Sequence, residues 1–210
     1  MEKKDTRRLI LKKAFQLFAT NTYEQVTYKE LEDSTNLTRG AIMHYFKTKE
    51  VMFQEMCDEF ILGENSALSQ LNISISQPIT LKDFIKQYIQ SVKELKKIST
   101  QNYNIKNFNK AIVNIANQAT YFYPDFELKR LKWQFIQRQL WKEVLLKAHQ
   151  NKEIPESADV DTLAELFEDI YTGISYNGIV FQGGIDIDRL SKSFDLLYSM
   201  ITKDKCAGHS

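Results

Sequence analysis

The chain has 210 residues, 43% hydrophobic and 26% charged, with 28 Lys and Arg against 27 Asp and Glu. This is a globular composition, long enough for one or two domains with a sizeable core, and no window approaches the roughly 18 consecutive apolar residues of a membrane span. Only 7 Gly and 3 Pro point to long uninterrupted helices, and the two cysteines, Cys57 and Cys206, give neither metal-site spacing nor a disulfide framework.

The first predicted helix covers about 6–19, with Leu11, Ala14, Phe15 and Phe18 at the spacing of one buried face. Lys3, Lys4, Arg7 and Arg8 crowd its start, where positive charge opposes the helix dipole, so phosphate or solvent is expected there. The first five residues run into this amphipathic helix without a signal-peptide pattern, and a cytoplasmic location is expected. Thr27 followed three residues on by Glu30 is a capping box, which starts a second helix at about Tyr28, anchored by Leu31. Asn36 falls where the chain must reverse, a position that favours a residue tolerant of positive φ.

Thr38 then caps a third helix reaching Phe46, leaving Arg39, Gly40, Met43 and His44 on one side while Ile42 and Phe46 turn inward with Leu37. A helix this short is held by its neighbours, so its outer side is free for another task. Two short helices joined by a tight turn are the arrangement in which the second enters a DNA major groove. Residues 1–50 hold 10 Lys and Arg against 7 Asp and Glu, whereas the remainder carries a slight negative excess. That asymmetry has the sign a DNA-docking face needs.

Thr48-Lys49-Glu50 opens a fourth helix expected to reach about residue 71, its apolar stripe formed by Val51, Met52, Phe53, Met56, Cys57 and Phe60. Its N-terminus with the Lys49 ammonium would form an anion site. Cys57 reads as a small buried hydrophobe and Cys206 as a tail thiol. Residues 72–79 read as a connector, and Thr80 with Asp83 caps a fifth helix to about residue 98. A sixth is expected over 101–123, ended by Pro124, and a seventh over 125–150 on Leu128, Leu131, Phe135, Leu140, Val144 and Leu145. The last two, at 161–181 and 188–202, show more apolar surface than one neighbour can cover, which suggests a second partner surface.

The matches Thr6-Arg7, 10–18 with Ala14 and Phe15, Tyr23, Val26-Thr27, Leu37-Thr38-Arg39-Gly40-Ala41-Ile42, His44-Tyr45-Phe46 and Lys49-Glu50 make residues 6–53 resemble the DNA-binding domain of the tetracycline-repressor (TetR) family. Thr22 and Asn36 stand where that family usually has Gly, Glu32 and Thr35 where it has Ala, and Met43 where a Tyr commonly contacts DNA. Met43 lacks a phosphate-reaching hydroxyl but offers an apolar tip for a thymine methyl. The resemblance implies an all-α fold of about nine helices, with a three-helix helix-turn-helix domain at 1–50, a ligand-binding and dimerisation bundle at 51–203 and a flexible tail at 204–210. It also implies a homodimer through the helices at 161–181 and 188–202, bound to a double-stranded DNA operator. Arg39 would read a base, Thr27, Tyr28, Thr38, Tyr45 and Lys49 would serve the backbone, Gly40 would allow close approach, and Met43 and His44 would complete the face.

His44, His149 and His209 lie on separate elements, and no HExxH, CxxC or phosphate-cradling glycine loop occurs, so neither catalysis nor a metal or cofactor is expected. Aromatic residues concentrate beyond residue 80, and Tyr88, Phe108, Phe122, Trp133, Phe167 and Tyr171 are candidates to line a pocket for a small apolar or aromatic effector. Its binding would favour a spacing of the two reading heads that no longer fits the operator. The alternative is an all-helical protein-interaction or scaffold module that has lost specific DNA binding, a reading kept open by Met43 and the modest basic excess.

Overall fold

A computed structural model describes residues 3–63 and 79–203. The regular elements among the described residues are all helical: α1 (Lys3–Phe18), α2 (Tyr28–Thr35), α3 (Arg39–Tyr45), α4 (Lys49–Cys57), α5 (Leu81–Tyr103), α6 (Phe108–Phe122), α7 (Phe126–Gln150), α8 (Val160–Asn177) and α9 (Ile187–Lys203). A π-helical turn, Asp58–Leu62, extends α4, and a 3-10 turn, Gly178–Val180, extends α8. The fourth helix beyond Gly63, most of the expected connector and the expected tail lie outside the described residues.

Local chemistry starts and stops the first four helices. The Thr27 backbone N–H donates to Glu30 Oε2 (2.7 Å) and the Glu30 N–H to Thr27 Oγ1 (3.3 Å), the reciprocal capping box. Asn36 ends α2 in the left-handed region at φ 57°, which asparagine tolerates better than other residues with a side chain. Thr38 and Thr48 cap α3 and α4 through the N–H groups of Ala41 and Val51. Ile10, Leu11, Ala14, Phe15, Phe18, Leu31, Ile42, Phe46, Met52, Phe53, Met56 and Cys57 form one buried core beneath these helices. Arg7 and Arg8 pair with Glu55 and Glu59, so carboxylates of α4 and of the π-helical turn after it offset the positive charge at the start of α1.

The sixth helix begins at Phe108, not near residue 101. Helix α5 runs on to Tyr103 and is stopped by Asn104 at φ 53°, and Asn107 caps the new helix by accepting from the Lys110 N–H (2.9 Å). The Asn107 amide lies within hydrogen-bonding distance of three carbonyls at the end of α8: Gly178 (3.0 Å), Ile179 (3.2 Å) and Phe181 (2.6 Å). Asn109 Oδ1 accepts from the Ile185 N–H nearby (3.0 Å). The crossing is so close that a Cβ on Gly178 would fall 2.7 Å from the Ile185 nitrogen, which is why a glycine stands there.

Helix α6 joins the two halves. Ala111, Ile115 and Ala119 enter the N-terminal core, while the Asn114 and Gln118 amides donate to the carbonyls of Phe18 (3.2 Å), Ala19 (3.3 Å) and Asn21 (3.3 Å). These acceptors at the end of α1 have no intrahelical donor. A second core, around Phe84, Tyr88, Trp141, Phe167, Leu190 and Phe194, joins α5, α7, α8 and α9. Helices α7 and α8 run antiparallel, as the pairs Arg138–Glu165, Arg138–Glu168 and Lys142–Asp161 establish. Leu128, Leu131 and Phe135 follow the helical period of α7 yet stay exposed, because no described element covers that side of its first half.

Candidate functional site

The outer side of α3 is open. Arg39, Gly40, Met43 and His44 are exposed, with Met43 at 40%, while Ile42 and Phe46 beneath them are 0% and 1% exposed. The Arg39 guanidinium lies over the Tyr28 ring at 4.8 Å, which holds a flexible cation in one place at little cost. Tyr45 is half-buried against the core and its ring meets His44 edge-on at 5.4 Å. Between α2, α3 and the start of α4 lies an open hollow of about 440 Å³, lined by Thr27, Tyr28, Arg39, Met43, Lys47 and Lys49, together with the carboxylates of Glu24 and Glu50.

Lys49 borders the hollow but turns its ammonium to the loop before α2. Its ammonium donates to the carbonyls of Tyr23 (2.9 Å) and Val26 (3.1 Å) and sits 4.2 Å from the Tyr23 ring centre. It therefore straps the loop between α1 and α2 to α4. Lys47, exposed on the hollow two residues earlier, presents an ammonium with no ion pair among the described residues. Burial pushes the Tyr23 phenol well up, the neighbouring Glu50 adding to it. Glu50 is held below the usual carboxylate range by its own backbone N–H and by Thr48 at the helix start.

A separate cavity of about 200 Å³ lies between α5, α6, α7 and α8. Of the expected lining residues, Tyr88, Phe108, Trp133 and Tyr171 do surround it. Phe122 and Phe167 do not. Phe122 stacks on Tyr23 at 4.0 Å in the N-terminal core, and Phe167 is fully buried against Trp141 at 4.4 Å. The polar lining that the aromatic pattern overlooks consists of Asn109, Arg130, Gln137, Glu168, Thr172 and Ser175. Arg130 is half-buried, and desolvation pulls its guanidinium below the ordinary value. Burial likewise raises the phenol of Tyr171, with Ser175 opposing.

Among the described residues no group of His, Cys, Asp and Glu is placed to hold a metal ion, and no helix is long and apolar enough to cross a membrane. The family model for bacterial regulatory proteins of the tetR family matches residues 10–56, the segment that builds the open helix and its support. The N-terminal domain is a TetR-family DNA-binding domain.

The transcriptional repressors AcnR of Corynebacterium efficiens and Corynebacterium glutamicum are each 40% identical to this chain over 55 residues, 26% of this chain and 29% of each repressor. The match thus spans less than a third of those relatives. Likeness in shape extends further. A protein described as a TetR/AcrR family transcriptional regulator superposes with a TM-score of 0.70 at 18% identity, covering 93% of this chain and 99% of that one. A TetR-family regulator from Agrobacterium tumefaciens gives 0.64 at 13% identity, covering 95% and 98%. At such identities the likeness speaks for the fold alone: a TetR-type helix-turn-helix domain followed by a helical C-terminal domain.

Sequence reasoning did not single out Lys47, which stands immediately before the N-cap Thr48 and opens on the hollow.

Proposed function

We propose that this chain is a dimeric, effector-responsive transcription regulator that reads a two-fold symmetric operator through α3 and acts in the cytoplasm as a repressor. The observation that carries the reading is the division within α3. Ile42 and Phe46 are spent on the core, and Arg39, Gly40, Met43 and His44 are left outward on a rod of major-groove size. Arg39, steadied on Tyr28, is assigned to a guanine edge, Met43 to apolar contact with a thymine methyl, and His44 to the same groove. Thr27, Tyr28, Thr38, Tyr45 and Lys47 are assigned to phosphates, and Lys49 is reassigned to bracing the loop. The two Corynebacterium relatives are repressors by name, which favours repression as the output.

The dimer reading is supported by Leu166, Tyr176, Phe181, Leu196 and Met200, all exposed on α8, α9 and the turn after α8. Gly173 adds to it: nothing lies within 4 Å of where its Cβ would be, which leaves room for a second helix to approach closely. The cavity between α5 and α8 is the effector site in this reading, because α6 lines it with Phe108 and Ile112 while holding the end of α1 through Asn114 and Gln118. A ligand that prefers one seating of α6 would then bias the spacing of the reading heads.

Selection of duplexes from a random pool, with wild type and Arg39→Ala, tests the core of this. The variant should keep salt-dependent binding to random DNA and lose about 1–3 kcal/mol of discrimination at one base pair per half-site. An unchanged selected sequence would overturn the assignment of Arg39, and no salt-dependent binding by the wild type would favour the scaffold reading.

A further inference from the structure

Arg130 sets an unmet condition in the cavity. Its guanidinium lies over the Trp133 ring at 4.8 Å and makes no hydrogen bond or ion pair with a described residue. The carboxylate that could neutralise it, Glu168, is already taken: Arg138 Nε donates to Glu168 Oε2 (3.1 Å), and the same guanidinium donates to Glu165 (3.0 Å). Trp133 supplies a second unused donor, since its indole Nε1 is buried without a partner. A desolvated cation and a buried N–H with no acceptor are each costly when left unmatched, and both belong to the wall of a cavity that also presents the rings of Tyr88, Phe108, Trp141 and Tyr171.

Resting on the reading of this cavity as the effector site, we infer that its ligand is a small aromatic monocarboxylate anchored by Arg130. The planar fork of an arginine matches the two oxygens of a carboxylate. Tyr88, Phe108, Trp141 and Tyr171 provide faces and edges for a flat ring. One uncompensated positive group accommodates one negative charge, and Glu168 on the same wall disfavours a second. A volume of about 200 Å³, below the roughly 300–1,000 Å³ of sites for drug-sized ligands, limits the ligand to one or two fused rings with a short acid arm.

The chain has two tryptophans, Trp133 and Trp141, and both line the cavity, so intrinsic fluorescence reports occupancy directly. Benzoate, phenylacetate, cinnamate and 2-naphthoate are titrated beside their primary amides, against wild type, Arg130→Met and Arg130→Lys. At least one acid should quench saturably with a Kd ten or more times lower than that of its amide. Arg130→Met should erase that preference and Arg130→Lys should keep part of it. Without ligand, Arg130→Met should melt at the wild-type temperature or above, since it removes an unmatched charge. Amides bound as tightly as acids, a preference that survives Arg130→Met, or no acid preferred over its amide would each overturn the inference. Release of duplex DNA is measured separately with the same compounds. Selective binding without release leaves the Arg130 assignment standing and removes the effector reading, whereas release by an amide alone does the reverse.

Discussion

Replacing Lys49 by Met separates two incompatible roles for one side chain. Its ammonium makes two hydrogen bonds to loop carbonyls and one contact with the Tyr23 ring. Hydrogen bonds to a charged group contribute about 1.5–3 kcal/mol each, and the ring contact about 0.5–1 kcal/mol. Freeing the side chain returns up to about 2 kcal/mol of rotamer entropy. Taking the low end for bonds that share one ammonium, the net loss is about 2 kcal/mol, or roughly 4–8 °C in melting temperature for a chain of this length. Lys47→Ala, on the exposed hollow, should leave melting within about 1 °C, since exposed substitutions change stability little. The DNA readout is the reverse. Lys47→Ala should flatten the dependence of log K on log salt by about 0.9 per reading head, the signature of one phosphate contact, and Lys49→Met should change it by less than about half of that. Thermal melts and salt titrations of the two variants suffice. A Lys49→Met chain that melts normally and loses a full unit of salt slope would refute the inward assignment.

Phe122→Ala should cost about 3 kcal/mol in denaturant unfolding, the low end for a phenylalanine because it is only half-buried, and should leave ligand quenching of the two tryptophans unchanged; a lost cavity signal in a folded variant would return Phe122 to the pocket. The pair Leu196→Glu and Met200→Glu, on the exposed side of α9, should sediment as a monomer with wild-type helicity and weakened operator binding, and a stable dimer would exclude this face as the interface. Glu50, Asp83 and Asp159 are all held below the usual carboxylate range: Glu50 by backbone and Thr48 hydrogen bonds, Asp83 by Lys86 and Thr80, and Asp159 by Thr162. A lowered folded-state value stabilises fully above the unfolded range and is lost as pH falls through the folded value, so the melting temperature should be level from pH 7 to about 5 and fall below about 4. A level curve down to about pH 2.5 would contradict the role given to these hydrogen bonds.

Helix starts were legible because their cause is local. Thr27 with Glu30, Thr38, Thr48 and Thr80 each satisfy backbone groups within three residues, so reading the chain in order finds them. The break at Asn104 to Asn107 was not legible, because the apolar period passes through it and the carbonyls that hold Asn107 lie 71 to 74 residues away. The inward bonds of Lys49 were not legible for a related reason: an ammonium at a helix start is equally able to serve phosphate or loop carbonyls, and the path of residues 23–26 brings the carbonyls within reach. Tyr88, Phe108, Trp133 and Tyr171 line the cavity, whereas Phe122 and Phe167 obey the same periodicity and face cores. Arg130 did leave a trace, since it stands three residues before Trp133 on one helix, the spacing at which side chains meet.

The three-way grip of Asn107 has a mechanical consequence. With only two amide hydrogens for three carbonyls, its bonds are shared, and a small roll of α6 can trade one acceptor for another without breaking free. The strip it holds carries Phe181, exposed beside the face where a second subunit would sit. In the proposed dimer, a ligand-driven shift of α6 would act both on the end of α1 and on the strip that carries Phe181, so the two protomers would switch in concert, with a Hill coefficient above one for induction. A single asparagine, Asn107, would be the pivot of that lever.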